Sequence, residues 1–179
     1  SYTDVFENFT PQIAVEGTDS VALNQYLSLL YESDKALQYL VQYFDRLDDP
    51  TIIVFFGDHQ PTDSVVAPIY KLNGESVYSL SEEELRLRYK VPYVIHANFD
   101  IEEAHNVPIS SNYLGIKTLE TAGIPLSKYQ QFLANNYRLF PSVSPLQIRD
   151  ADRNVYSVDK KEELLHDYQI LQYHHLFKK

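Results

Sequence analysis

Thr51-Ile52-Ile53-Val54-Phe55-Phe56-Gly57-Asp58-His59-Gln60-Pro61 decides how the rest of the chain is read. Six apolar or β-branched residues run without alternation and stop at Gly57. The run is too short to span a membrane. It predicts a strand buried on both faces, as in a parallel sheet between helices. Asp58 and His59 follow at its carboxyl end, the edge where open α/β sheets bind ligands. A carboxylate beside an imidazole there is a two-residue contribution to a divalent metal site. The bland alternative is a capped turn, with Asp58 starting a helix and His59 bonded in the loop. An Asp-His pair alone is a weak motif, and a hard cation takes about four to six ligands. No second Asp/Glu/His cluster in the sequence is an obvious source of the others.

Working outward, residue 19 or 20 caps a long helix whose apolar stripe runs Leu23, Tyr26, Leu27, Leu30, Leu37, Leu40, Val41, Phe44, Leu47. Asp48-Asp49-Pro50 ends it, so helix and strand form one unit. Beyond Pro61 a short helix is predicted over 64–71 and a turn at Asn73-Gly74. Ser81 and Glu84 have capping-box spacing and open a charged helix to about residue 89. Residues 92–97 form a second strand. A helix follows from Ser110 or Ser111 to Ala122, stopped by Gly123 and Pro125, and another over 127–139. Near-alternation over 146–158 predicts a β-hairpin. Asp159 with Glu162 is predicted to cap a last helix to about residue 173. The fold class is α/β. Residues 1–141 are read as the main domain, and 142–179 as a hairpin-plus-helix extension packed on it.

The totals narrow the function. The 179 residues suffice for one domain, and the absence of Cys excludes disulfides and thiolate chemistry. No Met is present, so Ser1 is not expected to be a translation start, and a processed or excised piece is expected. No apolar run reaches the roughly 20 residues of a spanning helix, so any anchor is expected outside these residues. A net charge of −10 repels a phosphate backbone, which argues against nucleic acid. Fifteen Tyr and nine Phe suit a core, or a sugar- or glycerol-like site. Tyr26, Tyr31, Tyr39 and Tyr43 at helical spacing are read as packing. His96 is read as a core or sheet-end histidine, His105 as a loop residue, and His174-His175 as a solvated pair. Glu82-Glu83-Glu84 is a helix start, Asn112-Tyr113 suit a ligand contact or, equally, helix capping and packing, and Gln60-Pro61 shape the loop after the metal pair.

The segment from Ile53 to Pro61 resembles the GDH-x-P segment of the lipoteichoic acid synthase and phosphoglycerol transferase branch of the sulfatase (alkaline phosphatase) superfamily. Residues 26–36 resemble the preceding helix. Residues 91–100 and 110–114 are similar to the following strand and helix, and the order holds over about 1–141. The resemblance implies the C-terminal portion of an alkaline-phosphatase-like α/β/α sandwich. It implies an extracytoplasmic, membrane-anchored enzyme of the cell envelope, with the anchor in an N-terminal region absent here. It also implies a divalent metal, usually Mn2+ with Mg2+ or Zn2+ also suited, held by a Glu, a Thr nucleophile and an Asp-His pair. Carried over, Asp58 and His59 are metal ligands. The Glu and Thr are expected upstream, since only 57 residues precede Asp58 and none carries a matching motif. The substrate is then a glycerophospholipid, glycolipid or envelope polymer, as in lipoteichoic acid synthesis, and the piece alone is expected to bind metal weakly and turn nothing over. The alternative is a non-catalytic interaction or carrier domain that keeps the fold. If part of the sheet lies elsewhere, exposed edges are expected to pair between copies.

Overall fold

The computed structural model describes residues 9–177. They fall into two compact units that divide between Phe99 and Asp100.

In the first unit, Ser20 caps α1 (Val21–Phe44), its side chain accepting from the Leu23 amide. The lead-in docks on α1 through main-chain bonds. The amides of Gln12 and Ile13 both donate to Ser28 Oγ at 2.9 Å, and Val15 N donates to Asn24 Oδ1 at 2.9 Å. Ser28 and Gln25 are therefore buried polar groups, and Ser28 is satisfied by these bonds and by donating to the Asn24 carbonyl. The expected packing role of the α1 tyrosines does not hold throughout, because Tyr39 is 73% exposed and Tyr43 52%. The stripe continues past the neighbours that cover its first turns.

β1 (Ile52–Phe56) pairs antiparallel with β2 (Tyr93–Ala97), Ile52 opposite Ala97 and Phe56 opposite Tyr93. This corrects the expectation of a parallel strand dry on both faces. An unbroken apolar run encodes an affinity for cover on both sides, but pairing direction depends on how the chain returns. Here it returns antiparallel after α2 (Asp63–Leu72) and α3 (Glu82–Leu87). Phe55 and Phe56 are 41% and 53% exposed. The capping box of α3 forms as expected: Ser81 accepts from the Glu84 amide, and the Glu84 carboxylate accepts from the Ser81 amide.

In the second unit, α4 (Ser111–Thr121) and α5 (Lys128–Leu139) bury Ile116 against Leu133 and Ala134. Ser127 and Gln130 form a second capping box. Tyr113 is fully buried, and its hydroxyl accepts from Asn136 Nδ2 at 2.8 Å. The predicted hairpin is part of a three-stranded antiparallel sheet, β3 (Ser142–Val143), β4 (Gln147–Arg149) and β5 (Val155–Ser157). Ser110 is not spent on capping α4. It exchanges hydrogen bonds with the Val143 backbone and ties the helix start to β3. The predicted single last helix is broken. Ser157, not Asp159, accepts at the start of a 3-10 turn (Val158–Lys160). Leu165, buried and at φ −120°, separates α6 (Lys161–Leu164) from α7 (His166–Phe177). Burying Leu165 outweighs continuing the helix.

Candidate metal centre

β1 ends at Gly57, whose amide donates to the Pro92 carbonyl at 3.1 Å. A Cβ at this position would lie 3.0 Å from Val91 Cβ, so the close approach of the chain just before β2 favours glycine here. The chain then turns outward and presents Asp58 and His59 to solvent, with side chains 82% and 73% exposed.

The two groups are brought together. The His59 amide donates to Asp58 Oδ1 at 2.9 Å, and His59 Nε2 lies 3.4 Å from Asp58 Oδ2. His59 Nδ1 is 2.8 Å from the Gln60 carbonyl. A carbonyl oxygen only accepts, so Nδ1 carries a proton, and Nε2 is the ring nitrogen that faces the carboxylate, with a lone pair there whenever the ring is neutral. Two lone pairs facing each other repel unless a proton or a cation lies between them. Two ligand atoms each about 2.1 Å from a shared ion sit about 3.0 Å apart in octahedral and about 3.4 Å apart in tetrahedral geometry, so the observed gap is close to either. A backbone acceptor on the far nitrogen is also the usual outer partner of a metal-binding histidine. The donor set thus fits a divalent cation. Among the described residues no group of three or more His, Cys, Asp or Glu could hold a metal, so the pair accounts for two ligands. The charge of Asp58 reaches α1: burial first, and that carboxylate second, push the Tyr26 hydroxyl above its ordinary pKa.

The loop is fastened from behind. Gln60 Nε2 donates to the Lys90 carbonyl. Arg88 Nη2 donates to the Pro61 carbonyl at 3.1 Å and to Asp63 Oδ1 at 2.9 Å. Sequence reasoning found the shaping role of Gln60 and Pro61 but missed Arg88. It is one of three cations in Arg86-Leu87-Arg88-Tyr89-Lys90, and nothing in that spacing singles it out or connects it to residues 61–63.

The remaining candidates resolve into packing and pairing. His96 Nε2 lies 2.7 Å from Asp45 Oδ1, at the end of the sheet away from Asp58. His175 stacks on Tyr129 with centroids 4.3 Å apart, and His174 and His175 both stay exposed, as expected. Asn112 donates to the Tyr168 hydroxyl at 3.1 Å.

Residues 1–124 match the sulfatase family. A Rhizobium meliloti protein named for cyclic beta-1,2-glucan modification is 26% identical over 179 aligned positions, 93% of this chain and 28% of that protein. The structure of Streptococcus pyogenes phosphoglycerol transferase GacH in complex with sn-glycerol-1-phosphate superposes with a TM-score of 0.59 at 20% identity, covering 90% of this chain and 37% of GacH. This likeness shows an alkaline-phosphatase-like fold. The chain therefore spans well under half the length of either relative. With more than half of its residues inside the match, the chain belongs to the sulfatase family, whose members are generally metal-dependent enzymes.

Proposed function

We propose that this chain is part of an extracytoplasmic, membrane-anchored phosphoglycerol transferase or sulfatase-type phospho- or sulfo-ester enzyme acting on cell-envelope polymers or their glycerophospholipid donors. In this reading Asp58 and His59 hold a divalent cation, Mn2+ first and Mg2+ or Zn2+ next, together with ligands and a Thr nucleophile from outside these residues. The observation that carries it is the exposed Asp58–His59 pair, with opposed ligand atoms 3.4 Å apart and the far imidazole nitrogen engaged by Gln60, at the end of β1. A bound cation would polarise the phosphoryl or sulfuryl oxygens and make an attacking hydroxyl acidic. Asp58 supplies the negative charge that attracts it, and His59 a neutral donor held in one tautomer. Gly57 lets the strand ends close so that the pair stands clear of the sheet.

The test uses the complete protein and phosphodiester cleavage in phosphatidylglycerol vesicles. Mn2+-dependent turnover that disappears in Asp58→Ala and in His59→Ala supports the reading. Turnover unchanged in both overturns it. The 179-residue chain alone is expected to bind Mn2+ without turnover. A second reading, a non-catalytic carrier or interaction module, is favoured by the absence of a third ligand among the described residues. It predicts Mn2+ binding neither in this chain nor in the complete protein.

A further inference from the structure

We infer that Arg88 is the positioning residue of the Asp58–His59 pair, an inference that rests on the metal reading above. The backbone of residues 57–63 alone aims the two ligands, because their side chains are exposed and bond only to each other and to the adjacent main chain. That backbone is pinned at its entrance by Gly57 N to the Pro92 carbonyl, and in its middle by Gln60 to the Lys90 carbonyl. Its exit is pinned by one group. Arg88 Nη2 bridges the Pro61 carbonyl and Asp63, fixing the end of the loop to the first residue of α2. The Arg88 side chain is only 20% exposed, against 55% for Asp63. The guanidinium is therefore partly withdrawn from water, and its planar fork loses little freedom in bridging two acceptors. The Thr62 hydroxyl pairs with that of Ser64 at 2.9 Å and makes no cap bond to the α2 backbone, so Arg88 is the side chain that ties this helix start to the loop from outside the segment.

The charge makes the inference testable. Removing a cation near a divalent metal strengthens attraction by Coulomb's law, so electrostatics alone predicts tighter binding in Arg88→Ala. Loss of loop geometry predicts the opposite, by about 10-fold, the lower end for partners that orient metal ligands. Mn2+ affinity of the 179-residue chain is measured by calorimetry and by the Mn2+ paramagnetic resonance signal, for wild type, Arg88→Ala, Arg88→Lys, Asp63→Ala and Ser81→Ala. Ser81→Ala weakens α3 at its cap and leaves Pro61 and Asp63 untouched. Expected are weaker binding in Arg88→Ala, partial recovery in Arg88→Lys, and unchanged affinity in Ser81→Ala at comparable loss of melting temperature. If Arg88→Ala fails to fold, Asp63→Ala cuts the same bridge from an exposed end and is expected to weaken binding at high as well as low salt, whereas loss of its charge alone weakens binding only at low salt. Mn2+ binding that depends on Asp58 and His59 but is unchanged or tighter in Arg88→Ala and Asp63→Ala overturns the role of Arg88 alone. Binding indifferent to Asp58 and His59 overturns both readings.

Discussion

The two ends of the β1–β2 ribbon each carry an aspartate and a histidine, and they are put to opposite uses. At one end Asp45 and His96, 51 residues apart, meet at 2.7 Å with side chains 42% and 32% exposed. Beside them Asn98 closes the corner. Its Nδ2 donates to the carbonyls of Phe44, Leu47 and Asp49, and its Oδ1 accepts from the Thr51 amide. At the other end Asp58 and His59 are neighbours in sequence, 3.4 Å apart, and far more exposed. The first pair is consumed by the fold, which uses it where the end of α1 feeds β1. The second has spare coordinating capacity and costs the fold little to keep. A carboxylate and an imidazole are therefore informative only together with what already satisfies them.

The largest expected effect separates the two ends by ligand. At Mn2+ about 100-fold above its dissociation constant, binding stabilises the folded chain by about 2.7 kcal/mol. Asp58→Ala and His59→Ala should abolish that thermal shift, and His96→Ala should retain it. An equal loss in His96→Ala would erase the distinction. Next, Asn98→Ala leaves several backbone groups at the closed corner without partners and should cost about 2 kcal/mol in urea unfolding, with Mn2+ affinity unchanged. Ser81→Ala removes one side of the α3 capping box and should cost about 1 kcal/mol. His96→Ala should cost less than about 1 kcal/mol, because the Asp45 pair is partly exposed. A larger value would mean that the pair, and not Asn98, secures that corner.

A smaller effect involves pH at the β4–β5 turn. Hydrogen bonds to Asp150 hold its carboxyl below the usual value, from the Asn154 side chain first and with help from Tyr156. A carboxyl lowered in the folded state contributes stability at pH above its unfolded pKa and loses it as pH falls through the folded value. The turn should therefore loosen below about pH 4, the unfolded value, and Asp150→Asn should flatten that dependence. Backbone amide exchange at Asn154 reads it directly.

These differences track what local sequence can carry. The α1 cap at Ser20, the α3 capping box and the stop at Gly123 were readable because caps and left-handed glycines act within a few residues. The exposed Asp58–His59 pair was readable because its members are adjacent and follow an apolar run. Asp45–His96 was not, since nothing in either neighbourhood names a partner 51 residues away. The direction of β1 pairing failed for the same reason: Ile52 to Phe56 states hydrophobicity but not how the chain returns. The last helix failed because Leu165 is buried by tertiary packing, which outweighs a local Asp159–Glu162 pattern.

The Gly57–Pro92 hydrogen bond has a wider consequence. It makes the intervening chain a drawn purse-string, leaving and re-entering the ribbon at one knot. The reverse turn at Gly74, with open space around it, lies at the slack end of that bag. Extra residues spliced in there would enlarge the pouch without tugging on its neck, so relatives could vary this outer lobe widely while the acidic and imidazole groups beside the knot kept their aim.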